Sequence, residues 1–157
     1  RHPVHLLSVG LGTGLSPLAP GTVGTLVGVA LYMPMAKLPV ASYLGAVLLW
    51  FVFGVAFCGA TARFLGVHDH PSIVSGEIVG FLVTMTAAPQ GTVWILAGFC
   101  LFRFFDIAKP WPIRRIDREL TGGLGIMLDD VLAGIFAAAL LQLGAVLWGP
   151  VVRAPLY

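Results

Sequence analysis

The chain has 157 residues, 58% of them hydrophobic and 10% charged, with a mean hydropathy of +0.95. A soluble domain carries roughly 25% charged residues, so the composition excludes a water-soluble globule and implies an integral membrane protein. The formal net charge of +2 is too small to hold nucleic acid, and the distribution of charge carries more information than its total.

Residues 1–10 form a short lead-in with His2 and His5 and lack the ordered pattern of a signal peptide. Residues 10–22 contain four glycines and two prolines, a poor helix. The hydroxyls of Thr13, Ser16 and Thr22 and the bare glycine amides there could form an anion-binding nest. The plainer reading is a helix-breaking loop followed by close helix packing, which Gly24-x-x-x-Gly28 suits. No strand–turn–helix context supports a dinucleotide loop.

Residues 21–36 are uncharged and read as a short first span, ended by Lys37-Leu38-Pro39. Residues 38–62 are uncharged and long enough to cross about 30 Å of hydrocarbon, and Arg63 closes them. His68, Asp69, His70 and Glu77 then form a polar cluster. His-x-His could bind a transition metal, although a solvated loop before a proline turn is the preferred reading. Ser72 can cap a helix starting near Ile73. The uncharged run 78–102 is broken by Ala87-Ala88-Pro89-Gln90-Gly91, a turn signal. Two short helices in a hairpin are expected, 73–88 and 92–105.

Residues 103–130 hold most of the charged groups: Arg103, Asp106, Lys109, Arg114, Arg115, Asp117, Arg118, Glu119, Asp129 and Asp130. A chain that avoids charge elsewhere concentrates it where solvent, an ion or a charged ligand is met. The uncharged run 131–149 is the final span, with the Asp129–Asp130 pair at its mouth, and Pro150 ends it. Cys58 and Cys100 lie in apolar runs and read as buried packing residues. One domain, 1–157, is the natural reading.

Parity tests the hairpin. With the N-terminus inside, Arg1, Arg63, Arg103, Lys109, Arg114, Arg115 and Arg118 all fall inside, leaving Lys37 and Arg153 outside. The positive-inside bias favours this arrangement. It also puts the acidic residues on one face, so a site is expected at the cytoplasmic interface.

Clustered carboxylates repel unless a cation sits between them. Glu77, Asp106, Asp129 and Asp130 are therefore candidate ligands of a hard metal, most plausibly Mg²⁺, and neighbouring Arg and Lys suit a phosphate-bearing ligand. The bland alternative is a juxtamembrane salt-bridge cluster meeting anionic headgroups. Cys58 and Arg63 lack the spacing of a cysteine-phosphatase loop, and no thiolate is favoured in that apolar run. The serine elbow G-x-S-x-G and a zinc cluster are also absent. Metal-assisted attack on phosphorus by water or a carboxylate remains.

The strings L-G-T-G-L-S-P-L-A-P-G-T-V-G-T, V-H-D-H-P-S-I-V, F-D-I-A-K-P-W-P-I-R and G-G-L-G-I-M-L-D-D-V-L-A-G resemble the phosphatidylglycerophosphatase A family over nearly the whole chain, in the same order. The resemblance implies a multi-pass, Mg²⁺-dependent enzyme of the bacterial inner membrane that hydrolyses phosphatidylglycerol phosphate to phosphatidylglycerol and phosphate. Where the family usually carries Trp-Asp-Glu, this chain has Ser75-Gly76-Glu77. Gly76 can neither bind metal nor carry a proton, so weakened activity is expected.

The expected fold is an all-α bundle of about five membrane-embedded helices, two of them short. Asp69, Glu77, Asp106 and Asp130 are the candidate catalytic residues, with Glu77, Asp106, Asp129 and Asp130 on the metal. Arg103, Lys109 and Arg114 would neutralise phosphate, helped by Thr13, Ser16 and Thr22, and Asp69 or His70 would move protons. An ion carrier would place charge inside the spans, which are uncharged; a structural membrane subunit would not explain the clustered acids.

Overall fold

The computed structural model describes residues 19–65 and 74–152. The described residues form six α-helices and no strand: α1 Pro20–Met35, α2 Val40–Leu65, α3 Ser75–Thr84, α4 Thr92–Ala108, α5 Ile113–Glu119 and α6 Gly122–Val152. α1 begins on Pro20, where a missing N–H costs no intrahelical bond. Thr22 therefore belongs to a first helical turn rather than to the preceding loop.

α2 and α6 are the long elements, 26 and 31 residues. At 1.5 Å per residue both exceed a hydrocarbon core of about 30 Å. Their most apolar windows are only 17% and 22% buried within the protein. Soluble core helices are mostly buried, so these two instead turn their apolar side chains outward. Leu48, Leu49, Val52 and Phe53 on α2 and Leu143, Val146 and Leu147 on α6 are all exposed. These two helices are long and apolar enough to cross a membrane; α1 and α3 are shorter apolar helices.

α3 is the buried centre. Eight of its ten residues are buried, and it packs against α1, α2, α4 and α6. Small residues permit this. A β-carbon at Gly80 would lie 2.6 Å from Asp130 O and would also strike the Phe102 ring, while one at Gly134 would strike Gly80 O. The α3 and α6 backbones thus run in direct contact. The Gly24-x-x-x-Gly28 expectation is met in the same way, Gly24 against Val74 and Gly28 against Phe81.

The break at Pro89 and Gly91 is where the turn signal placed it. Residues 85–91 join α3 to α4, with Ala87 at φ 53° and Gly91 at φ 128°. The pair is an antiparallel hairpin, since Gly80 meets Phe102 and Gly98 meets Met85 and Thr84. Gln142 of α6 fastens the turn, donating to Thr86 O at 3.1 Å and Ala87 O at 3.0 Å. At the same end Tyr43 donates to Leu82 O at 2.6 Å and its ring meets Tyr32 edge-on.

Some expectations require correction. α3 stops at Thr84 and α4 continues past 105 to Ala108, so Asp106 is a helical residue as well as Arg103. α5 was not foreseen. α6 starts at Gly122, so Asp129 and Asp130 lie two turns inside a helix rather than at its mouth. Cys58 is buried as expected, but Cys100 is exposed, because it lies on the outward face of α4. α2 and α6 are antiparallel: Gly59 lies against Gly123 and Gly54 against Met127. The end of α2, the starts of α3 and α6 and the last turns of α4 therefore share one end of the bundle.

Candidate functional site

Three separated segments deliver ionisable side chains to that end. α3 supplies Glu77 in its first turn. α4 supplies Arg103 and Asp106, one turn apart on one face, where they form an ion pair. Lys109 follows directly, at φ 42° after the helix ends, and turns back towards α6. α6 supplies Asp129 and Asp130, both buried.

Lys109 Nζ bridges Asp129 Oδ2 at 2.7 Å and Asp117 Oδ1 of α5 at 2.9 Å. Burial works against the charge on Lys109, but the two carboxylates more than offset it and hold its pKa well above the ordinary lysine value. The other oxygen of Asp129, Oδ1, accepts the Asp130 N–H at 3.0 Å. Both Asp129 oxygens are thus engaged by the protein.

Asp130 is differently placed. Its carboxylate lies buried within reach of the charges of Asp129, Glu77 and Asp106. Carboxylates crowded in this way favour a bound proton or cation. The wall beside Asp130 is Gly76, where a β-carbon would collide with Asp130 Oδ2. On another side α1 closes in: a β-carbon at Gly21 would stand 2.8 Å from Glu77 Oε1 and 3.0 Å from Arg103 Nη1. Arg103 Nε is buried with no hydrogen-bond partner among the described residues.

The structure therefore brings together Glu77, Arg103, Asp106, Lys109, Asp129 and Asp130. Thr22 lies half-buried in the first turn of α1, next to Gly21. Arg114 is exposed, donates to Ala108 O at 3.3 Å, and lines a separate cleft of about 440 Å³ with Lys109, Trp111, Arg115 and Arg118. Lys109 is the wall between cleft and acid cluster. Thr13, Ser16, Asp69 and the His68–His70 pair lie outside the described residues. Asp117 was given no role from sequence, where it showed only as one acid in a charged run, while Gly21 was read among the glycines of a candidate anion-binding nest and as the start of the first span. Their parts depend on tertiary contact.

Among the described residues no three His, Cys, Asp or Glu side chains are arranged to enclose a metal by themselves. Mg²⁺ does not require that, since it takes one or two carboxylates, keeps waters and completes its shell with phosphate oxygens. Asp106 and Asp130, with Glu77 nearby, offer carboxylate oxygens from which one or two such ligands could come. Among the described residues, Glu77, Asp106, Asp129 and Asp130 gather beside the cations Arg103 and Lys109, and Lys109 is shared with Asp117.

The chain matches the phosphatidylglycerophosphatase A family over residues 6–145. It is 47% identical over 141 residues to phosphatidylglycerophosphatase A of Escherichia coli K12, an alignment covering 89% of this chain and 82% of that one. It is 49% identical over 138 residues to phosphatidylglycerophosphatase A of Haemophilus influenzae, covering 87% and 85%. No solved structure matches significantly. With a family match across most of its length and two relatives near half identity, the chain belongs to the phosphatidylglycerophosphatase A family of phosphatases.

Proposed function

We propose that this chain hydrolyses phosphatidylglycerol phosphate to phosphatidylglycerol and inorganic phosphate in a bacterial inner membrane. The names of the two relatives support the substrate. The observation that carries the reading is the convergence of Glu77, Asp106 and Asp130 with Arg103 and Lys109, from three separated segments, at one end of an apolar bundle. α1, α2, α3, α4 and α6 are the five membrane-embedded helices of this reading, with the cluster on the cytoplasmic face. In its support, Arg103, Lys109, Arg114, Arg115 and Arg118 belong to that end and Lys37 to the other.

The chemistry is attack of water on phosphorus. A bond forms from the water oxygen to phosphorus, and the ester bond from phosphorus to the glycerol oxygen breaks. Asp106, oriented by Arg103, accepts the proton of the attacking water. Asp69 returns a proton to the leaving oxygen. Arg103 and Lys109 stabilise the charge that develops on the phosphoryl oxygens, and Arg114, with Thr13, Ser16 and Thr22, steadies the headgroup. Asp130, Glu77 and Asp106 would hold Mg²⁺, with Asp129 adjoining through Asp130 and positioned by Lys109. When bound, Mg²⁺ neutralises phosphate charge and acidifies the water it carries. Gly76 leaves this cluster one carboxylate poorer than the family pattern, which lowers the rate.

The test is phosphate release from phosphatidylglycerol phosphate in mixed micelles by the purified chain, across a Mg²⁺ titration and after chelation. The reading expects slow, Mg²⁺-dependent release. A folded protein that releases no phosphate at any Mg²⁺ concentration contradicts it.

A further inference from the structure

A groove of about 450 Å³ runs along α2, lined by Ala46, Leu49, Trp50, Phe53, Phe57 and, at its α3 wall, Ser75. Gly54 forms part of its floor, backed by Met127 of α6. Apart from Ser75 every lining residue is apolar or aromatic, and Leu49 and Phe53 are more than half exposed. The groove lies on a helix long and apolar enough to cross a membrane, so hydrocarbon is the medium it meets.

Position and length distinguish it from an ordinary lipid-facing surface. Ser75 is followed by Gly76, whose backbone abuts the Asp130 carboxylate. Met127 is one helical turn before Asp130. The groove thus begins beside the acid cluster. From Phe57 to Ala46 it leads away from the start of α6, because Gly59 meets Gly123 and Gly54 meets Met127. That path covers about 16 Å of helix axis, roughly half of a hydrocarbon core of about 30 Å, which is the reach of one leaflet.

We infer that this groove seats one acyl chain of the lipid whose phosphate enters the Asp106–Asp130 cluster, and that Ala46, Leu49, Phe53 and Phe57 select for chain length. The inference rests on the lipid-phosphatase reading. The chain fixes the depth and tilt of the headgroup, and the second acyl chain stays in the bilayer.

Ala46→Trp fills the groove from its far end, and Leu48→Trp places the same ring on the exposed neighbouring face as a control. The measurement is the ratio of kcat/KM for long-chain over dihexanoyl phosphatidylglycerol phosphate. Ala46→Trp is expected to lower that ratio about ten-fold, equivalent to lost burial of roughly two methylenes, and Leu48→Trp to leave it unchanged. Equal ratios in both variants and the parent would overturn the groove. A second readout does not depend on turnover. Long-chain phosphatidic acid with a photoreactive group midway along one chain should label Leu49, Phe53 and Phe57 above Leu48 and Val52. Equal labelling of both faces overturns the inference. So does a single cysteine at position 49 that crosslinks two chains in membranes, which would assign the groove to a second copy. Failure of the phosphatase reading looks different, with no phosphate released from either substrate whatever the labelling pattern.

Discussion

Asp129 and Asp130 are adjacent in sequence but occupy unlike surroundings. Asp129 has both oxygens engaged, one by Lys109 Nζ at 2.7 Å and one by a backbone N–H. Asp130 faces Asp106 and Glu77. Asn substitution should therefore separate them. Asp129→Asn strips Lys109 of its buried partner and should cost roughly 1–3 kcal/mol of stability. Asp130→Asn removes one member of a crowded acid group and should leave thermal stability equal or higher. Melting of both variants in detergent checks the contrast, and equal destabilisation would contradict it. Lys109 adds a pH dependence. Its pKa is raised on folding, so its contribution is complete below the unfolded value of about 10.4 and fades as pH rises through the higher folded value. The melting-temperature gap between parent and Lys109→Met should be steady at neutral pH and narrow above about pH 10.5. A gap that is constant to higher pH would show that the ammonium charge is not what holds α5 to α6.

At the scale of elements, glycine sets how closely the helices approach. α3 lies against α6 through Gly80 and Gly134, so Gly80→Ala should cost about 1–3 kcal/mol by overpacking and shift Asp130 with it. Gly76 is a subtler case, because the atom it would strike is the free end of the Asp130 side chain, which can turn. Gly76→Ala should displace that carboxylate and reduce activity. Gly76→Asp should displace it while adding a carboxylate beside it, raising activity and tightening the Mg²⁺ dependence. Phosphate release from the three proteins across a Mg²⁺ titration decides this, and identical curves would show that position 76 does no chemistry. The hairpin was legible in sequence, since Pro89 and Gly91 stop α3 wherever it packs, and so was the α1 contact through Gly24 and Gly28. The start of α6 was not. Gly122, at φ 76°, and Gly123 are poor helix formers, and glycine stands at 123 because the α2 backbone at Val55 O leaves no room for a β-carbon. That contact is invisible locally, and missing it placed the acid pair at a helix mouth.

For the whole molecule, the uneven charge along the chain becomes an uneven charge between the ends of a bundle. Parity and charge counting anticipated that Glu77 would join the 103–130 cluster. They could not show that Asp106 would lie near Asp130 or that Asp117 would share Lys109, because such placements depend on how α4 and α5 rotate against α6. The proposed topology predicts that a cysteine at Thr121 resists an impermeant thiol reagent in intact cells and one at Lys37 reacts, with Cys58 and Cys100 replaced. Labelling at Thr121 would invert the arrangement. The central claim is that the acid cluster around Asp130 is the catalytic centre of a lipid phosphatase. Its most direct test is phosphate release from phosphatidylglycerol phosphate by the parent and by Asp130→Asn at matched folding. The account predicts a fall of about 100-fold or more with the melting temperature preserved. Near-parental turnover by folded Asp130→Asn would contradict it.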